Sequence, residues 1–135
     1  PVISSAASDV YKRQLPAVWV GLLYDEDALE ETEKIAKQIS YEEVIEATFD
    51  CSKTGLNSKI GKFKSQELAI ELLKIAKTGL KKRNFLNSSG ENETGYLSPL
   101  LNMAEEGKTL ADTMLQKYLK DWNKDPKKAI ENQII

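Results

Sequence analysis

The sequence predicts an all-α chain, an irregular bundle of about five to seven helices, on three observations. Downstream of Asp25 the apolar residues recur at three- and four-residue spacing and not in alternation. Ser40 with Glu43, and Thr109 with Asp112, are capping-box signatures that open helices. The one run that reads equally as strand or helix, Leu15 to Asp25 (LPAVWVGLLYD), has no second strand to pair with. Helix is therefore the expected state there too.

Taken in order, Pro16 suits the first turn of a helix, where its missing N–H costs nothing. Asp25, Glu26 and Asp27 place negative charge at the start of the next helix, where the macrodipole favours it. Ala28, Leu29, Thr32, Ile35, Ala36 and Ile39 form its apolar stripe. Ser40 caps a third helix with Tyr41, Val44, Ile45, Thr48 and Phe49 as its inner face. A Gly- and Lys-rich loop follows, Lys53 to Lys64. The longest helix is expected to take Ser65 as N-cap, with Leu68, Leu72, Ile75, Ala76, Gly79 and Leu80 on one face. Lys81, Lys82 and Arg83 complement the dipole of its last turn. Asn87 to Gly95 is polar and reads as a surface loop. Ser98-Pro99 opens a short helix that Gly107 ends. Leu110, Met114, Leu115, Tyr118, Leu119 and Trp122 make the next stripe, and Asp125-Pro126 starts a last helix carrying Ile130 and Ile134.

Composition narrows the chemistry. The chain is 41% hydrophobic and 30% charged with net charge −2, an ordered composition with no pull towards nucleic acid. It contains no histidine, which removes any Ser-His-Asp, Cys-His or His-metal mechanism carried by these residues alone. The one cysteine, Cys51, has no disulfide partner within the chain and no second thiolate for zinc. The longest apolar run is about half of the roughly 20 residues of a membrane span. A cytoplasmic location is the expectation.

Five features invite a functional reading. Gly55 to Lys62 (GLNSKIGK) approaches a phosphate-binding P-loop, but five residues separate its glycines where the motif has four, and Phe63 stands where the motif has Ser or Thr. Lys59, Lys62 and Lys64 are then expected in a solvated loop, although they could face phosphates. The acidic run Asp25, Glu26, Asp27, Glu30, Glu31 and Glu33 could suggest Mg²⁺, which needs only one or two carboxylates plus waters. Helix capping and a solvated face account for the same residues. Cys51 reads as a small boundary residue, and Trp19 and Trp122 as apolar anchors. Asn87-Ser88-Ser89 and Asn92-Glu93-Thr94 match glycosylation acceptors in form alone. No catalytic, cofactor-binding or metal-binding residue is assigned to a numbered position.

The order of several motifs resembles the glutamate–cysteine ligase family of plants and many proteobacteria. LPAVWVGLLYD is similar to the motif that opens the family's C-terminal segment. Thr54-Gly55-Leu56, the helix end Ile75 to Arg83 (IAKTGLKKR), and Ser89 to Thr94 followed by Tyr96 to Leu100 (YLSPL) continue in the family's order. Thr109 to Tyr118 (TLADTMLQKY) resembles a further family helix. The lysine-rich end after Trp122 departs from the family pattern.

The resemblance implies that residues 15–135 are the C-terminal helical part of a larger α+β ligase. That enzyme would join the glutamate γ-carboxylate to the cysteine amine with ATP and Mg²⁺, both bound in the missing upstream part. Glutamate, cysteine and ATP would be its ligands, with neither nucleic acid nor membrane as partner, and the segment alone would be inactive. Residues 1–14, PVISSAASDVYKRQ with Leu15 following, resemble an adaptor-derived leader and are expected to be non-native or disordered. The alternative is a stand-alone helical interaction module without catalysis. On the ligase reading LPAVWVGLLYD is a seam against the missing part, so some of Trp19, Leu22 or Leu23 should be exposed.

Overall fold

The structure, a computed structural model, describes residues 3–133. The fold is all-α, as the periodicity predicts: seven α-helices among the described residues and one two-residue hairpin. They are α1 (Ile3–Leu23), α2 (Glu26–Ala36), α3 (Tyr41–Thr54), α4 (Ser65–Arg83), α5 (Ser98–Glu106), α6 (Leu110–Lys120) and α7 (Pro126–Gln133). The hairpin pairs β1 (Lys59–Ile60) with β2 (Phe63–Lys64) antiparallel, Ile60 opposite Phe63. Short 3₁₀ turns cover Gly55–Asn57 and Glu93–Leu97. Ile134 of the expected last stripe lies outside the described residues.

Helix α4 is the hub. Against it pack α1, α2, α5 and the Glu93–Leu97 turn. Its buried residues Leu68, Leu73, Ile75, Ala76, Gly79 and Leu80 form the centre of the core, with Leu22, Ala28, Ile35 and Leu97 contributed from around it. The α1–α4 crossing is close because both helices present glycine. A Cβ on Gly21 would run into the Ala76 backbone, and one on Gly79 into the Gly21 carbonyl oxygen and to 3.3 Å from the Ala28 methyl. Absence of a side chain at both positions lets the two backbones touch.

Both capping boxes form. Ser40 Oγ accepts from the Glu43 N–H at 3.2 Å while Glu43 Oε2 accepts from the Ser40 N–H at 2.7 Å. Thr109 Oγ1 accepts from the Asp112 N–H at 3.2 Å, and Asp112 Oδ2 accepts from the Thr109 N–H at 2.8 Å. Gly107, in the left-handed region at φ 66°, ends α5 as expected. The 87–95 segment is a loop in which Asn87 Oδ1 accepts from the N–H groups of Ser89 and Glu91.

Three expectations differ. Pro16 lies inside α1 and not at its start, so the helix runs through it without that residue's N–H bond. Arg13 and Gln14 lie on the same helix: Gln14 is buried, and the Arg13 guanidinium stacks 5.8 Å from the Tyr96 ring centre. Ser65 is the first residue of α4 and Lys64 its cap; the Ser65 hydroxyl turns inward to Ser58 Oγ at 2.5 Å instead of capping. The faces predicted to be inner on α3 and α6 are outer. Tyr41, Val44, Ile45 and Phe49 are exposed, and α3 buries only Ala47, because its neighbours are the small hairpin and the Gly55–Asn57 turn. Of the α6 stripe only Trp122, just past the helix end, is buried.

Within a helix, Gly→Ala ordinarily stabilises. At Gly79 the sign reverses: Gly79→Ala is expected to lower stability by about 1–3 kcal/mol through overpacking. Gly95→Ala, with nothing within 4 Å of the added methyl, stays near wild type. Urea unfolding of the two variants side by side measures the contrast.

Candidate interface

No cluster of three or more His, Cys, Asp or Glu among the described residues is arranged to hold a metal ion. The acidic run is engaged by lysines and helix ends. Asp25 Oδ1 caps α2 by accepting from the Ala28 N–H at 3.0 Å. Lys82, reaching over from α4, donates to that carboxylate at 3.2 Å and also to Asp27. Glu30 pairs with Lys34 at 2.7 Å and Glu33 with Lys37 at 2.8 Å along the α2 surface. The Ala28 N–H first, and then Lys82, hold the Asp25 carboxyl below its ordinary range, while hydrogen bonds to Asp27 and Asp25 push Lys82 up.

The P-loop-like segment is not a phosphate cradle in form. Residues Gly55–Asn57 make a 3₁₀ turn, and Lys59 to Lys64 fold into the hairpin with Gly61 and Lys62 at its tip. Gly61 takes φ 56°, and a Cβ there would strike the Glu43 carboxylate, so the tip leans on an acidic side chain. Lys64 pairs with Glu67 at 2.9 Å, and Lys62 sits over the Phe63 ring. Cys51 is half-buried behind the hairpin, its sulfur 2.8 Å from Ser58 Oγ and 3.8 Å from Ser65 Oγ. The structure therefore places Cys51 at the base of the Lys-rich hairpin and the acidic run apart from both on α2, and brings no described set of them to a common point.

What the surface offers instead is apolar area, in two places besides the outward stripe of α3. On α1, Leu15, Trp19 and Leu23 follow one another at four-residue spacing and are 63%, 56% and 48% exposed, whereas Leu22 is 5% exposed. The face of α1 carrying Ala17 and Gly21 meets α4, so the Trp19 face is turned away from it. The exposure expected of a seam is present at Trp19 and Leu23. The second place is a groove of about 550 Å³ between α1, α4, α5 and the start of α6. Val18, Leu72, Leu73, Leu100, Met103 and Leu110 line it, and Lys108 is the only charged residue among the described residues of its walls. Gln66 Nε2 fixes the α5 wall by donating to the Ala104 carbonyl at 2.8 Å. Beyond the groove, α6 continues the apolar surface through Met114, Leu115 and Leu119, all 45–56% exposed.

The described residues thus give a tight core and uncovered apolar faces on α1, α3 and α6, and bring no catalytic set together. Comparison with known proteins shows the family. The family model described as "Glutamate-cysteine ligase family 2 (GCS2)" matches residues 3–134. The chain belongs to that family. It is 32% identical over 108 residues to the chloroplastic glutamate–cysteine ligase of Brassica juncea, which covers 80% of this chain and 20% of that protein. Against glutamate–cysteine ligase A, chloroplastic, of Oryza sativa subsp. indica it is 32% identical over 110 residues, 82% of this chain and 21% of the relative. The Arabidopsis thaliana chloroplastic ligase gives 32% over 108 residues. The chain thus spans about a fifth of the length of these family members. Motif order signalled the family correctly; the α6 groove had no sequence signal, because an apolar helical stripe is the same whether a neighbour covers it or not.

Asp25 supplies a pH signature for this GCS2 segment. A carboxyl held below its ordinary value of 3.8 in the folded state stabilises that state above this pH, and loses the contribution as pH falls through its lowered value. Asp25→Ala is expected to lower the thermal midpoint at neutral pH, the difference from wild type persisting to about pH 4 and closing below it. Thermal melts of both proteins between pH 7 and pH 2 test this.

Proposed function

We propose that the chain is the C-terminal helical segment, residues 15–135, of an ATP-dependent glutamate–cysteine ligase, and that it is inactive by itself. The observation that carries the reading is membership of the ligase family over nearly the whole chain, combined with a span of about a fifth of its relatives. In the complete enzyme the γ-phosphoryl group of ATP passes to the glutamate γ-carboxylate, giving an acyl phosphate and ADP. The cysteine α-amine then attacks the acyl carbon, a C–N bond forms, inorganic phosphate leaves, and the amine gives up a proton. The product, γ-glutamylcysteine, is the first committed intermediate of glutathione biosynthesis.

Residues able to carry that chemistry are assigned to the rest of the protein. Mg²⁺ is assigned there too, a reading supported by the pairing of Asp25, Asp27, Glu30 and Glu33 with lysines in this segment. Here the helices act as a wall for the catalytic portion, with the Leu15–Trp19–Leu23 stripe as one contact. A cytoplasmic location belongs to the same reading. Among the described residues no helix is long and apolar enough to cross a membrane, and the word chloroplastic describes the plant relatives.

The genomic sequence preceding Leu15 is the first test. An open frame that runs on upstream and whose product makes γ-glutamylcysteine from ATP, glutamate and cysteine, while residues 15–135 alone make none, is the expected result. A stop codon and a start codon immediately before Leu15 would replace this reading with a stand-alone helical interaction module, and synthesis by residues 15–135 alone would refute the claim of inactivity.

A further inference from the structure

We propose that the α1–α4–α5 groove together with the apolar stripe of α6 is a second docking surface, distinct from the Leu15–Trp19–Leu23 stripe. Its occupant is an apolar element from the rest of the same ligase, acidic or uncharged where it passes Lys108. The inference rests on the reading of the chain as one segment of the enzyme and names the contact that reading requires of α6.

Three observations meet here. The first concerns α6 itself. Its start is specified by the Thr109–Asp112 box, and Gly107 sets its direction out of α5, yet among the described residues α6 meets the core only at the groove wall formed by Leu110 and Ala111 and packs closely along no other element. A helix of 11 residues is marginal in water without tertiary packing of its apolar face. Met114, Leu115 and Leu119 nonetheless remain about half exposed. The second is the groove. About 550 Å³ of open space lies between α6 and the core, lined almost wholly by aliphatic side chains and methylenes, a volume suited to several large apolar side chains and not to a polar ligand. Lys108 is the one charge on its wall and makes no ion pair among the described residues, so an occupant carrying a basic group there would be disfavoured. The third is length: relatives hold about four-fifths of their residues outside the matched stretch, which supplies a covalently tethered occupant at high effective concentration. A tethered partner is favoured over a second copy for that reason.

Hydrogen exchange on the complete ligase carrying Leu115→Glu tests the proposal. Leu115 is 56% exposed in the segment, so glutamate there is tolerated unless something covers it. If the groove and stripe are filled by the rest of the enzyme, the buried charge is expected to speed amide exchange across Leu110–Lys120 by about tenfold or more, while exchange in α4 stays slow. Phe49→Glu, on the equally exposed face of α3, is the control and leaves α6 exchange unchanged. Unaltered α6 exchange in Leu115→Glu overturns the proposal. So does α6 protection in residues 15–135 alone that rises with concentration alongside a dimeric mass, since the occupant is then a second copy. Failure of the complete frame to make γ-glutamylcysteine strikes the functional reading instead, and the exchange result is read independently of it.

Discussion

The close approach of α1 and α4 is the constraint on which the remaining packing depends. Two helices that meet through ordinary side chains sit about 8–10 Å apart. With Gly21 facing Ala76, and Gly79 facing the Gly21 carbonyl, this pair sits backbone on backbone. The consequences spread along the chain. Ala28 in the first turn of α2 fits beside Gly79, so α2 starts close to the crossing, with only Tyr24 and Asp25 between it and the end of α1 at Leu23. Asp25 caps that start, and Lys82, one turn beyond Gly79 on α4, reaches both Asp25 and Asp27. Arg83 follows, paired with Glu93 at 3.0 Å and stacked near the rings of Tyr24 and Phe85. Steric necessity at two glycines thus fixes a junction that surface charges then tie down, and those exposed charges contribute far less than the packing does.

Much of this was legible in advance where the physics is local. The Ser40–Glu43 and Thr109–Asp112 boxes, the Gly107 stop, the basic last turn of α4 and the polar Asn87–Gly95 loop each follow from hydrogen-bonding groups within four residues of one another. Pro16 was misleading because a proline at the first turn and a proline inside a helix give the same sequence signal. Ser65 was misleading because a hydroxyl that can cap can also bond laterally, and Ser58 was brought within 2.5 Å by the hairpin, a tertiary event. Gly79 reads as one member of the α4 inner face and Gly21 as part of the LPAVWVGLLYD run; nothing local says that the two, 58 positions apart, face each other.

The orientation of apolar stripes marks the larger limit. Periodicity locates the stripe on α3 and on α6 but is silent on what lies opposite it. On α2 and α4 the stripe points to the core, with Ala28, Ile35, Leu68 and Leu80 buried. On α3 and α6 equally regular stripes face outwards. The difference is connectivity. Helices α1, α2, α4 and α5 pack on one another around the glycine crossing, whereas α3 lies on the hairpin and the Gly55–Asn57 turn and an open groove separates α6 from α4.

That arrangement gives the exposed faces a meaning that scattered surface leucines would not have. Single exposed apolar residues are ordinary, since more than half of a folded surface is apolar. Here the exposure is organised: Leu15, Trp19 and Leu23 in one row on α1, and Leu110, Met114, Leu115 and Leu119 along α6 beside an aliphatic groove. Local signals on α6 agree with each other, through a complete capping box and a coherent stripe, and disagree only with its surroundings. Where every local choice is consistent, the exposed stripe is a surface that the sequence specifies and not a failure of its helix signals. An aliphatic wall of this kind is covered at the least cost by a surface that adds no polar group to be desolvated. On the proposed reading, the catalytic portion of the ligase therefore meets these helices through apolar side chains, and its charged chemistry is kept on the side turned away from them.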